Sequence, residues 1–206
     1  EAHAFNQDVG GWNVSNVTTM YGLFSQAHSF NQDISDWDVS GVENMELLFF
    51  GAESFNQDIG DWDLSSAVST ANMFRDAHSF NQDLSGWDVS GVENMGQMFR
   101  DARSFDQDIG NWAVSGVTNM YLMFGGAESF AQELGAWDIS NVSNMQYMFD
   151  GTALSPQAYD RTLVGWAQQA PRRGASVRAS GVRYCDSGPF RTHLREGFNW
   201  TLGDAG

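Results

Sequence analysis

Lysine is absent from the 206 residues, so all ten basic side chains are arginine. They stand against 26 acidic residues, and the formal net charge is −16. Such a chain repels phosphate backbones and anionic headgroups, which excludes nucleic acid and disfavours direct contact with an anionic membrane. Cysteine is reduced to Cys185, so no internal disulfide can form. No stretch approaches the roughly 18–20 apolar residues of a membrane-crossing helix, so no membrane insertion is expected. The few prolines, Pro156, Pro171 and Pro189, all lie after residue 153. The charge divides at the same place. Residues 1–153 hold 22 acids and 3 Arg, a net of −19, whereas residues 154–206 hold 4 acids and 7 Arg, a net of +3.

What is abundant is repetition. Phe5, Phe30, Phe55, Phe80, Phe105 and Phe130 open six copies of one 25-residue phrase, and a tryptophan follows each by seven residues, from Trp12 to Trp137. A fixed period of this length is the mark of stacked units, each unable to bury its apolar groups alone. Apolar residues make up 42% of the chain, enough for a packed core. The chain opens in mid-phrase at Glu1-Ala2-His3-Ala4-Phe5, which leads us to expect a processed or longer parent and no signal peptide in this stretch.

In the second copy, Trp37-Asp38-Val39 alternates apolar, polar, apolar, which predicts a short strand. Ser40-Gly41-Val42-Glu43 has the form of a helix capping box, and Val42, Met45, Leu48, Phe49 and Ala52 then read as a helical stripe. The expectation is one strand per unit in a parallel ladder and one short helix, with Ser15, Ser40, Ser65, Ser90, Ser115 and Ser140 as N-caps. In the third copy, Ala67 and Thr70 stand where other copies have Val and Met, which predicts a loosened helix within an intact unit. The unbroken column of Gln7, Gln32, Gln57, Gln82, Gln107 and Gln132 predicts an amide row between units.

Residues 154–206 depart from the period and are read as a C-terminal α+β cap on the last repeat. Leu154-Ser155-Pro156 starts a helix with Tyr159, Leu163 and Trp166 on its apolar face, ended near Ala170 by Pro171. Gly188-Pro189 opens a second short helix carrying Phe190 and Leu194, and Phe198–Leu202 is strand-like.

The phrase F-N-Q-D-I-x-x-W-D-V-S-x-V-x-N-M-x-x-M-F, matched nearly throughout from Phe80 to Ala102, resembles the tandem repeat of BspA-type leucine-rich-repeat surface proteins. The likeness extends to the Tyr159-Asp160 helix, the Tyr184 segment and the Phe198–Leu202 end. It implies an α/β repeat fold, a leucine-rich-repeat-like β/α solenoid over residues 1–153, on proteins that are secreted or surface-anchored and associated with adhesion. It carries no catalytic motif.

Catalysis needs a nonrepeating cluster of reactive groups, and none is legible, so no enzyme is expected. His3, His28 and His78 share a column that Glu53, Arg103 and Glu128 fill elsewhere, the pattern of an exposed loop. No Gly-rich phosphate loop and no EF-hand signature occurs. Four N-x-S/T sequons, at Asn13, Asn16, Asn141 and Asn199, are read as chance in a Ser- and Asn-rich phrase. The acidic columns are the candidate site. Asp38, Asp63, Asp88 and Asp138 should project from the strand as a binding row, broken by Asn13 and Ala113, with Asp8, Asp33, Asp58, Asp83, Asp108 and Glu133 as a second column. Three readings stay open: a solvated acidic face, a docking surface for a basic or polar protein or glycan, and Ca²⁺ held between units, with no other cofactor expected. The functional expectation is a noncatalytic recognition or adhesion solenoid at the cell surface. The alternative is a rigid scaffold subunit within a large organellar or extracellular assembly.

Overall fold

The computed structural model describes residues 2–169, 171–180, 182 and 188–204. The expected Tyr184 segment, the lone Cys185 and the proposed helix end at Ala170 lie outside these residues.

Each 25-residue unit is a circuit of β-turns. In the first, N–H to C=O bonds close turns at 9–12, 14–17, 20–23, 24–27 and 27–30, at 2.8–3.1 Å, and the same turns recur in the later units. A left-handed residue stands third in two of these turns. One column is Gly22, Leu47, Asn72, Gln97, Leu122 and Tyr147; the other is Gln26, Gly51, Asp76, Asp101, Gly126 and Gly151. Positive φ at the third position is the geometry of a type II turn, and it cannot continue a right-handed helix.

The expected helix over Val42–Ala52 is therefore replaced by turns, because Leu47 and Gly51 take φ of +59° and +68°. The backbone donors that a helix would satisfy internally reach the next unit instead. Met45, Leu47, Phe49 and Gly51 donate to Ser69, Ala71, Met73 and Arg75 carbonyls at 2.8–3.0 Å. The parallel ladder accordingly runs here and not through Trp37–Val39: Thr19, Asn44, Ser69, Asn94, Asn119 and Asn144 bridge one another in sequence. With no helix to cap, the serines serve the turns, as described below. The third unit keeps its place in the ladder through Ser69, and Thr70, fully buried, donates its hydroxyl to Met98 Sδ at 3.3 Å.

Side chains stack in files. Phe30, Phe55, Phe80, Phe105 and Phe130 form one, with ring centroids 5.8–6.3 Å apart, and Phe24, Phe49, Phe74, Phe99, Phe124 and Phe149 form a second at 5.5–6.2 Å. The two files touch within a unit, as at Phe49–Phe55, 3.9 Å. Burying each of these rings is worth about 2–3 kcal/mol. The tryptophans make a third file, and here the stacking is specified by hydrogen bonds. The indole N–H of Trp37, Trp62, Trp87, Trp112 and Trp137 donates to the carbonyl of Val9, Ile34, Ile59, Leu84 and Ile109, always 28 residues earlier, at 2.9–3.2 Å.

The assigned helices and strands of the described residues all follow residue 155: α1 (Pro156–Ala167), β1 (Ser176–Ala179), α2 (Gly188–Thr192), a π-helical turn (His193–Gly197) and β2 (Thr201–Asp204). Ser155 caps α1 by accepting from the Ala158 N–H, and Pro156 occupies the first turn. This segment extends the stack as well as covering it. Val177 bridges Met145 in parallel, and β1 pairs β2 in parallel with Ser176 opposite Thr201, a spacing of 25 residues. Trp166 from α1 fills the next tryptophan place by donating to Leu134 O at 2.8 Å. Trp200 donates to Arg172 O at 2.7 Å, again 28 residues earlier. A buried network ties the segment together: Asp204 accepts from Tyr159 Oη at 3.0 Å and pairs with Arg191. Burial and the nearby Asp204 carboxylate push the Tyr159 phenol far above its ordinary value.

Candidate recognition surface

Asp38, Asp63, Asp88 and Asp138 are exposed and aligned, one per unit. Their immediate task is local. Each Oδ1 accepts the backbone N–H two residues on, from Ser40, Ser65, Ser90 and Ser140, at 2.9–3.2 Å. The Ser40 hydroxyl adds a bond of 2.7 Å to Asp38. These are Asx-turns that open the 14–17 type of corner, the role given by sequence to helix N-capping. The serine hydroxyl first and the serine amide second hold all four carboxyls below their ordinary value. Asn13 makes the same two bonds with Ser15, at 3.2 and 2.8 Å, so the turn needs the oxygen and not the charge. At the second acidic column the same motif recurs: Asp8, Asp33, Asp58, Asp83 and Asp108 accept from the residue two positions on at 2.8–3.0 Å. For Asp33 and Asp83, the serine amide and then its hydroxyl lower the carboxyl.

Immediately before the second column lies an amide ladder. The Asn6 oxygen accepts both the Asn31 N–H and the Gln32 side-chain amide of the next unit, each at 2.9 Å. The pattern passes through Asn31, Asn56 and Asn81 to Asp106, which holds Ala131 and Gln132. The glutamine column thus joins units, and asparagine oxygens, unremarked in the sequence reading, are its acceptors.

With the repeated residues committed to core, turn or amide ladder, the positions that change from unit to unit stand out. They are the tips of the ladder turns: Tyr21, Glu46, Tyr121 and Gln146; Leu47, Asn72, Gln97, Leu122 and Tyr147; Phe50, Arg75, Arg100 and Asp150. Arg75 pairs with Asp76 at 3.4 Å and lies over the Phe50 ring at 5.1 Å. Arg100 pairs with Asp101 at 3.2 Å and donates to Gln97 at 2.9 Å. Arg178 lies over Tyr147 at 4.9 Å. This face mixes aromatic rings with paired charges, whereas the Asp-turn columns are acidic, with Glu133 paired to Arg161 at 2.6 Å. Sequence reasoning missed it because it looked for what recurs.

Among the described residues, no group of three or more His, Cys, Asp or Glu side chains is placed to hold a metal ion, and no helix is long and apolar enough to cross a membrane. No curated protein and no solved structure matches the chain. A family model does, first over residues 1–85 and again over residues 59–162, two overlapping passes along the repeats. The chain belongs to the family described as Mycoplasma protein of unknown function, DUF285.

Proposed function

We propose that the stacked units form a solenoid of the BspA-type leucine-rich-repeat kind, with turns in place of a helix, and that the protein is a noncatalytic recognition or adhesion module. It acts outside the cell, secreted or surface-bound, and takes a basic or polar protein or glycan as partner. The observation that carries this reading is the fixed row of Asp38, Asp63, Asp88 and Asp138. Each carboxylate is oriented by its serine yet remains exposed, so a partner meets a preorganised line of negative charge at no ordering cost. The net of −19 over residues 1–153 steers cationic surfaces toward it. A scaffold role is the second reading, supported by the exposed Trp12, Tyr21 and Leu23 on the first unit, which line a groove of about 630 Å³ suited to an end-on contact.

The test replaces all four aspartates by asparagine, which keeps the turn acceptor as Asn13 does and removes the charge. Binding to arrayed glycans and to basic proteins is then compared with the unaltered protein, with and without chelator. Loss of binding at unchanged Tm supports the row as the contact surface; equal binding overturns it. Binding that chelator alone abolishes places a divalent ion in the contact.

A further inference from the structure

The ladder of stacked units is polarised. Across each of the five interfaces between repeats, four backbone N–H groups point toward the later unit and four carbonyls point back. Met20, Gly22, Phe24 and Gln26 donate to Asn44, Glu46, Leu48 and Phe50, and the equivalent bonds recur as far as the sixth unit, all at 2.6–3.1 Å. Fewer run the other way, chiefly Glu43 N–H to Thr18 O and Ser54 N–H to His28 O. An ordinary parallel strand alternates donors and acceptors along each edge, whereas this edge separates them. The matching carbonyls of the first unit, on Thr19, Tyr21, Leu23 and Ser25, therefore face out of the end of the stack. None of them accepts a bond from the described residues. Thr19, Tyr21 and Leu23 also line the end groove of about 630 Å³, beside Trp12 and Asn13. Trp12 stacks on Trp37 at 6.3 Å yet is 53% exposed, and Tyr21 is 59% exposed. Residues 1–74 hold eleven acids and no Arg or Lys.

We infer that the end of the first unit is a binding site for an arginine side chain carried by a partner protein. This stretch of edge offers acceptors, so its occupant must bring donors. A common extended strand would set its own carbonyls against these and repel as much as it bonds. A guanidinium has five N–H donors and no acceptor, and it stacks on aromatic faces. Trp12 and Tyr21 provide such faces beside the open carbonyls, so one cation engages both. The ammonium of lysine lacks the planar fork and stacks less well. The acidic surroundings, with no Arg or Lys before Arg75, draw a cation toward this end. The site is built from backbone carbonyls and rings and not from the Asp38 row, so the two stand or fall separately.

The probes are the peptide acetyl-Gly-Arg-Gly-amide and its citrulline counterpart, in which a urea oxygen replaces one guanidinium nitrogen. Each is titrated into the isotope-labelled protein at physiological salt and followed by NMR. The arginine peptide should shift the Trp12 indole N–H and the amides of residues 18–25, and bind at least about tenfold tighter than the citrulline peptide. Trp12→Leu with Tyr21→Ser, both at exposed sites, should keep the fold and weaken binding at least about fivefold. The variant with asparagine throughout the Asp38 row should bind the peptide as the parent does, which separates this site from that surface. Equal binding of the two peptides overturns the inference. So does loss of binding in the asparagine variant, a shift confined to the Asp38 row, or binding indifferent to the Trp12 and Tyr21 changes. A Trp12 indole that moves with protein concentration alone makes a second copy the occupant. A synthetic peptide of residues 80–104 that binds more tightly makes it a further repeat unit. Either result overturns the assignment to a partner's arginine.

Discussion

Gly165, in the body of α1, lies against Gly135 of the sixth repeat so closely that a Cβ added to Gly165 would stand 2.3 Å from the Gly135 carbonyl oxygen and 2.6 Å from its carbonyl carbon and Cα. Backbone, not a flexible side chain, fills that space. Glycine inside a helix costs about 1 kcal/mol relative to alanine, and here close docking offsets it. Gly165→Ala, a change that would stabilise an isolated helix, should instead destabilise the protein by about 2 kcal/mol or more. A lowered midpoint in chemical denaturation, with the near-UV signal of Trp166 altered, checks this.

The tryptophan file predicts a contrast between two identical substitutions. Trp112→Phe removes a buried indole donor from Leu84 O, which keeps its bond from the Trp87 N–H, at a cost of about 0.5–1.5 kcal/mol beyond lost packing. Trp12 is 53% exposed, so Trp12→Phe should cost less than about 0.5 kcal/mol. Urea midpoints for the two variants should differ accordingly; equal losses would remove the hydrogen-bonded file as a source of stability.

Leu122 holds φ of +52°, a left-handed conformation that costs an L-residue with a bulky side chain about 1 kcal/mol. Leu122→Asn relieves part of that strain at a half-exposed site, and the midpoint of unfolding should rise by about 0.5 kcal/mol in equivalent free energy. A fall would mean that the leucine side chain contributes more by packing on its neighbours than its backbone conformation costs.

The Asx-turns make a prediction about pH. Asp33, Asp38, Asp63, Asp83, Asp88 and Asp138 have folded-state values depressed below the unfolded ones by serine hydroxyls and amides. Their contribution is therefore fully present above the unfolded value of about 3.9 and is lost as pH falls through the lower folded values. Stability should drop on acidification below about pH 4, and the drop should shrink when these aspartates become asparagine, which holds the turn in neutral form. A comparison at neutral pH separates charge from hydrogen bond: Asp88→Asn should leave Tm in place, and Asp88→Ala should lower it.

The period and the inward files were legible because Phe, Trp and Val recur at one spacing and each has a single good place, inside. The local backbone was not. Val42, Met45, Leu48, Phe49 and Ala52 recur by threes, and a chain of β-turns returns inward every third residue much as a helix does. Gly51, Gly126 and Gly151 signal a left-handed column, but Leu47, Leu122 and Tyr147 occupy the companion column with no such signature. The strand expected at Trp37–Val39 rested on three alternating residues, too few to decide. The continuing ladder of β1 and β2 was hidden for another reason: Ser176 and Thr201 share a spacing of 25 with the repeats but none of their phrase. At the candidate site, the exposure of the Asp38 row was readable, and its turn chemistry was not, because Ser-x-x-Glu reads equally well as a helix cap.

The 28-residue reach from each indole to its carbonyl also governs how the gene can be edited. Excising residues 55–79 would rejoin like to like, with Trp87 inheriting the acceptor of Trp62 and the two flanking phenylalanine files closing without a gap. Losing a single amino acid between Ile59 and Trp87 would instead put that donor, and any other whose 28-residue span crosses the gap, out of phase with its acceptor. Length in this protein can therefore change by whole modules, and scarcely otherwise.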